Sequence, residues 1–307
     1  MNDNAKPKIV AVAGPTASGK SRLAVEIALA LGGEVISADS MQIYRGMDVG
    51  TGKITPKETK GVPHHLLDVA EPEESFSLAE YCRLAGEAIE EVLSRGALPV
   101  LCGGTGLYLD GILAGRALGD APANEALRKE LEERDPDRLY EELCAIDPES
   151  AAAIHKNNRK RVIRALEIYR LTGRTKTDWD AASKTGGSRY AVKKILLFPR
   201  DRQALYDAIN ARVDAMFAAG LEEEARALFA RSPSATAAQG IGYKEFLPYF
   251  GGRATLEDTK EAIKKASRNY AKRQLTWFSK SAGDSLCLDS AEDPQAQIEK
   301  ALRYIGQ

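Results

Sequence analysis

The sequence predicts an α/β protein: a parallel sheet flanked by helices, with a separate helical domain inserted into it. Three observations carry that expectation. Short apolar runs alternate with helix-period stretches as far as residue 114, the order of a parallel sheet. A glycine-rich pattern occupies the first strand-to-helix turn. From residue 115 to about 189 the chain becomes helical and charged, and a sheet-like run (AVKKILLF) returns only at 191–198. The division is therefore a core domain from 1–114 and 191–307 around an inserted domain at 115–190.

The elements follow in order. KIVAVA at 8–13 is a short buried strand. Gly14, Pro15, Thr16, Ala17, Ser18, Gly19, Lys20 and Ser21 then satisfy G-x-x-x-x-G-K-[ST] at every fixed position, so the core is expected to be P-loop NTPase-like. Such a loop turns successive backbone N–H groups toward a polyphosphate, while Lys20 adds a cation and Ser21 a hydroxyl for Mg2+. Leu23, Ile27 and Leu31 recur at helical spacing until Gly32-Gly33 stops the helix. Residues 34–38 read as a second strand ending in Asp39-Ser40, followed by a polar, glycine-punctuated loop through residue 60. A short apolar stretch (HHLLDV) precedes a helix at 77–95 and a strand at 98–102 that runs into Gly103-Gly104-Thr105-Gly106. Ligands of open parallel sheets sit at the carboxyl ends of the strands, so the P-loop, Asp39 and Thr105 are expected to face one crevice.

In the insertion, charge is segregated. Residues 120–149 hold eleven acidic against four basic residues, whereas 155–176 hold eight basic residues and one acid, Glu167. A solvated face normally mixes both signs. Val162, Leu166 and Tyr169 form an apolar stripe, and Lys160, Arg161 and Arg164 occupy other faces, an arrangement suited to a nucleic-acid backbone. A helix at 202–220 carries the stripe Leu205, Ile209, Val213 and Met216, with Arg212 at its margin. Either a diphosphate pairs with that guanidinium or the side chain snorkels to solvent. The tract at 264–280 interleaves cations with Tyr270, Trp277 and Phe278. Stacking on bases and burial in a core are both open there, the latter at least as well founded for Trp277.

The four cysteines are scattered singly and the three histidines have no ligand spacing, which excludes a disulfide framework or a zinc ribbon. No apolar run approaches bilayer length and the N-terminus is polar. A cytoplasmic protein with no membrane partner is expected, and the sequence leaves open whether it is a monomer.

Several blocks resemble one family, the bacterial tRNA dimethylallyltransferases, also called tRNA isopentenyltransferases. They are GPTASGKS (14–21), SADSMQIYRGMDVGTGK (37–53), HHLLDV (64–69), GGTGLY (103–108), RKRVIRALEIYRLTG (159–173), RVDAMFAAGLEEE (212–224), QGIGYKE (239–245) and AKRQLTWF (271–278), and they span nearly the whole chain. The P-loop is shared widely; D-S-x-Q-x-Y with GGTGLY and AKRQ-x-TW is specific. One departure is Lys156-Asn157-Asn158, where the family usually has Pro-Asn-Asp, which bears on one tRNA contact or the helix start.

The resemblance implies transfer of a dimethylallyl group from dimethylallyl diphosphate, with Mg2+, to N6 of the adenosine 3′ of the anticodon. It implies Asp39 as the base, with Thr105 against the target nucleotide. Lys20, Arg212 and the P-loop would hold the diphosphate, and Ser21 the metal. The tRNA would meet Asp39, Ser40, Met41, Gln42, Thr105, Gln239 and Lys244 around the base, and Lys160, Arg161 and Arg164 along the anticodon stem-loop. A small-molecule or nucleotide kinase is the main alternative, since such enzymes share the loop. Against it, no acidic residue follows 98–102 to hold nucleotide-bound Mg2+, and a metabolite kinase does not need a basic insertion. A non-enzymatic RNA-binding module would leave the P-loop and Asp39 without a purpose.

Overall fold

A computed structural model describes residues 6–113, 124–183 and 188–307, so the expected domain boundary at 114/115 and the start of the acidic segment at 120 lie outside the described residues. The fold divides into two compact units, residues 1–113 with 190–307, and residues 114–189.

In the first unit, β1 (Lys8–Ala13), α1 (Lys20–Leu31), β2 (Gly33–Ser37), β3 (His64–His65), α2 (Leu78–Ser94), β4 (Leu98–Gly103) and α3 (Gly106–Leu113) follow one another. The second unit then holds α4 (Glu125–Glu133), α5 (Pro136–Ile146), α6 (Pro148–Ala153), α7 (Arg159–Thr172) and α8 (Lys176–Ser183). The chain returns to the first unit as β5 (Ala191–Phe198), α9 (Arg202–Ala218), α10 (Leu221–Ala230), α11 (Leu247–Phe250), α12 (Leu256–Lys280), β6 (Leu286–Asp289) and α13 (Pro294–Gly306).

Among the described residues the strands form one all-parallel sheet in the order β3-β2-β4-β1-β5-β6. Because side chains alternate across a strand, β1 sends Ile9, Ala11 and Ala13 to one face and Val10 and Val12 to the other. The first face packs against Tyr81 and Ile89 of α2 and Tyr108 and Ile112 of α3; the second packs against Leu23 and Ile27 of α1 and Ala301 and Ile305 of α13. β1 lies between β4 and β5, and the chain leaves it toward β2 on one side and comes back to β5 on the other. The turn after β1 therefore sits where the strand order reverses, the point at which such sheets bind ligands.

A third cluster lies beyond the strand ends. Ile43, Tyr44 and Met47 from the loop after β2 pack with Val213, Leu221, Tyr243, Phe246 and Ile263, which roots that loop among α9, α10 and α12. The glycine-punctuated loop is thus anchored by its own apolar residues. Leu31, expected on the buried stripe of α1, is 41% exposed, because the helix ends there on the left-handed Gly32.

The second unit has its own core, where Leu131, Leu139 and Leu143 meet Val162, Ile163 and Leu166 of α7. Tyr169, expected on the same stripe, is exposed. Asn158 caps α7, its Oδ1 accepting from Arg161 N, so asparagine where the family usually has aspartate still starts the helix.

Candidate active site

The P-loop is built from backbone restrictions. A Cβ on Gly14 would lie 2.7 Å from the Leu197 carbonyl oxygen, so only glycine lets the loop pass so close to β5. Gly19 (φ +83°) and Ala17 (φ +61°) are left-handed, the second an uncommon conformation for a residue with a side chain. Ser18 is buried and its Oγ has no hydrogen-bond partner among the described residues. Among the described residues Lys20 bonds only a carbonyl of its own loop, that of Pro15, at 3.3 Å. Burial lowers the pKa of its ammonium, and the Arg212 guanidinium adds to that, against the opposing pull of Cys102 and Asp39.

A crevice of about 310 Å3 opens beside this loop, lined by Thr16, Lys20 and Ser21 together with Asp39, Ser40, Met41 and Gln42 from the end of β2. Arg212 and Met216 of α9 line it, as do Gln239 and Lys244 from the segment before α11. Thr105 stands behind Ser40: its Oγ1 accepts from Ser40 N at 3.1 Å, and its own N–H donates to Ala38 O. Asp39 fixes one carboxylate oxygen by accepting from Met41 N at 2.9 Å, and among the described residues nothing hydrogen-bonds the other.

Arg212 is half-buried and donates to the Thr51 carbonyl at 3.1 Å. Desolvation lowers its pKa, with Asp39 and Glu58 opposing. Among the described residues neither Lys20 nor Arg212 has a carboxylate within ion-pairing distance. Two cations thus line one cavity, an arrangement suited to an anionic ligand.

Several contacts that hold this geometry are not given by the family blocks, although Gln42, Gly52, Gln274 and Trp277, which make them, lie within those blocks. Gln274 of α12 accepts from Thr16 N at 2.9 Å and donates to Gly104 O at 2.9 Å, tying the P-loop to the turn after β4. Its sequence signal is a glutamine on the buried stripe of α12, between Ala271 and Phe278. Gly52 leaves room for Arg212, and Gln42 donates to the carbonyls of Thr51 and Gly52. Trp277 is neither core nor free: 38% exposed, it covers Gly106 and donates to Asp110 at 3.0 Å.

Lys160, Arg161 and Arg164 belong to the second unit. Lys160 and Arg161 are exposed and have no carboxylate partner among the described residues. Arg164 is different, since its guanidinium donates to Glu167, which is fully buried and also accepts from Asn124 N and Arg128. Burial alone would raise the Glu167 carboxyl, but these donors outweigh it and hold it below the ordinary carboxylate value.

The IPP transferase family model matches residues 42–281. The chain belongs to the IPP transferase family. The tRNA dimethylallyltransferase of Geobacillus thermodenitrificans is 46% identical over 307 residues, 97% of this chain and 96% of that protein. The Anoxybacillus flavithermus protein of the same name is 48% identical over 88% of this chain and 87% of its own length. Among solved structures, the tRNA isopentenylpyrophosphate transferase of Bacillus halodurans superposes with a TM-score of 0.73 at 45% identity, covering 98% of this chain and 96% of that one. A eukaryotic dimethylallyltransferase acting on tRNA superposes at 0.83 with 30% identity, over 97% of this chain and 78% of that one. No helix among the described residues of this IPP transferase is long and apolar enough to cross a membrane.

Proposed function

We propose that this IPP transferase moves a dimethylallyl group from dimethylallyl diphosphate to N6 of the adenosine 3′-adjacent to the anticodon in tRNA. One observation carries the reading: Lys20 and Arg212, two cations without a carboxylate partner among the described residues, share a crevice with Asp39 at the end of β2. Nearly full-length relatives that bear the name tRNA dimethylallyltransferase supply the substrate class.

The residues divide the work. P-loop amides, Lys20 and Arg212 hold the diphosphate. As the allylic C–O bond breaks, charge moves onto the leaving oxygen, and fixed cations in a sheltered site stabilise it better than water does. The N6 lone pair, weakened by delocalisation into the ring, forms the new bond to the allylic carbon while its proton passes to the free oxygen of Asp39. Thr105, through Ser40, and Gln42, Met41, Gln239 and Lys244 bracket the nucleotide. An adenine in a single-stranded loop leaves its stack at modest cost. Lys160 and Arg161 grip the anticodon stem-loop backbone.

Mg2+ fits this set. The Ser21 side chain lines the crevice as a hard oxygen donor, and no cluster of three or more histidine, cysteine or acidic residues forms a metal cage among the described residues. Ser21 would hold the ion, which supplies charge neutralisation to the diphosphate. A kinase reading is disfavoured by the end of β4, where Cys102 and Gly103 stand in place of a carboxylate.

The test is to incubate the protein with unmodified tRNA, dimethylallyl diphosphate and Mg2+, digest the RNA and weigh the nucleosides. Prenylated adenosine is expected. Its absence, with ATP-dependent phosphorylation of a small molecule instead, would overturn the reading.

A further inference from the structure

The turn that holds Arg212 is itself held by one carboxylate. Glu224, in the first turn of α10, accepts from three consecutive backbone amides: Asp48 N at 2.9 Å and Val49 N at 2.8 Å on one oxygen, and Gly50 N at 2.8 Å on the other. Successive inward N–H groups of this kind form an anion-binding concavity, and here the anion is a side chain of the protein itself. The second oxygen also accepts from the Tyr243 hydroxyl at 2.7 Å. Tyr243 is fully buried, and its ring fills the space where a Cβ on Gly50 would lie, 2.5 Å from the nearest ring atom. The turn is thus clamped from two sides.

The clamped residues lead directly into the crevice wall. Thr51 O accepts from Arg212 and from Gln42, and Gly52 O accepts from Gln42 again. We propose that Glu224 is a positioning residue for prenyl transfer, acting through the 48–52 turn to place the Arg212 guanidinium and the Gln42 amide at the crevice. The action is geometric: the acids whose charges reach Arg212 are Asp39 and Glu58, and Glu224 is not one of them. A carbonyl partner fixes Arg212 without neutralising it, so its whole charge remains for the substrate. The inference rests on the reading of Arg212 as a diphosphate cation.

The test uses inorganic diphosphate with Mg2+, titrated calorimetrically into the full chain and into Glu224→Gln, Arg212→Ala and the double variant. A glutamine at 224 presents one acceptor oxygen and an NH2 group to donors that need two oxygens, so the turn shifts. Glu224→Gln is expected to weaken diphosphate binding about tenfold, and the double variant to bind no worse than Arg212→Ala to within twofold, because residues acting through one another are non-additive. A purely structural role gives multiplied losses, which would overturn the proposal, as would wild-type affinity in Glu224→Gln. Wild-type affinity in Arg212→Ala would remove the diphosphate assignment first, and the inference with it. If Glu224→Gln does not fold, Tyr243→Phe, which removes one bond to the same carboxylate, carries the same cycle. It is expected to weaken binding about threefold alone and to add nothing to Arg212→Ala; full additivity there overturns the proposal.

Discussion

Replacing Gly52 by alanine should disable Arg212 without mutating it. Gly52 has φ +57°, and an alanine Cβ there would lie 1.9 Å from Arg212 Nη2 and 2.7 Å from Cζ. Those atoms are the end of a flexible side chain, so the guanidinium yields before the backbone does, and its bond to Thr51 O is lost. The left-handed conformation costs an alanine about 1–2 kcal/mol of stability. A displaced guanidinium forfeits a charge-assisted bond to the diphosphate worth about 1.5–3 kcal/mol, or roughly 10–150-fold in affinity. Calorimetric titration with diphosphate and Mg2+, paired with urea denaturation, separates the two effects. Gly52→Ala should remain folded, bind diphosphate about 10–150-fold more weakly, and show no further loss when combined with Arg212→Ala. Affinity within twofold of wild type, in a protein destabilised as expected, would refute the reasoning: the guanidinium would then have moved without consequence for the anion.

Asp39→Ala should lower single-turnover prenyl transfer about 10^2–10^4-fold while tRNA affinity stays near wild type, the signature of a general base; equal losses in both would make Asp39 a binding residue. Reversing charge at Lys160 and Arg161 should weaken tRNA binding and flatten its dependence on salt by roughly 0.7–0.9 in log–log slope for each phosphate left without its cation, and an unchanged slope would reject that surface. Arg164→Ala, by contrast, leaves buried Glu167 short of a donor and should cost about 1–3 kcal/mol in urea denaturation. Stability unchanged by that substitution would contradict its role inside the second unit. Glu34 accepts from Arg95 at 2.9 and 3.1 Å and lies 2.6 Å from His65 Nε2; chiefly through the Arg95 bonds, its carboxyl is held below the ordinary glutamate value. A depressed folded pKa contributes stability above the unfolded value of about 4.3 and loses it as pH falls through the folded one. Glu34→Gln should therefore cost about 1–2 kcal/mol at pH 7, discounted for the partly exposed Arg95, with the gap to wild type narrowing as pH falls below the unfolded value. A gap that stays constant from pH 7 down through the acid limb of the stability curve would rule out the ion pair as its source.

β1, β2, β4, β5 and the P-loop are legible in the sequence because each is specified within a few residues, whereas the four-residue β6 is not among the expected strands. Val10 and Val12 face away from Ile9 and Ala11 by backbone geometry alone, and the loop needs only its own glycines, lysine and serine. Asp39 can be placed on the crevice from topology, whereas Thr105, expected there by the same rule, lies behind Ser40 and does not line it. The bonds that brace the crevice have no such local cause. Arg212 meets Thr51 across 161 positions of sequence, Gln274 meets Thr16 across 258, and Glu224 meets Gly50 across 174. Arg161 and Arg164 stand three residues apart in one basic helix, and only the fold around Glu167 distinguishes the exposed cation from the engaged one. Gln274 leaves a trace, because a glutamine on a buried helical stripe must find partners for its amide. Glu224 leaves none of that kind: it closes the block RVDAMFAAGLEEE, but an acid in the first turn of a helix is favoured by the helix dipole alone, so its position already has a sufficient explanation that does not involve the site. Where a local rule fully accounts for a residue, the sequence conceals whatever second task the fold has given it.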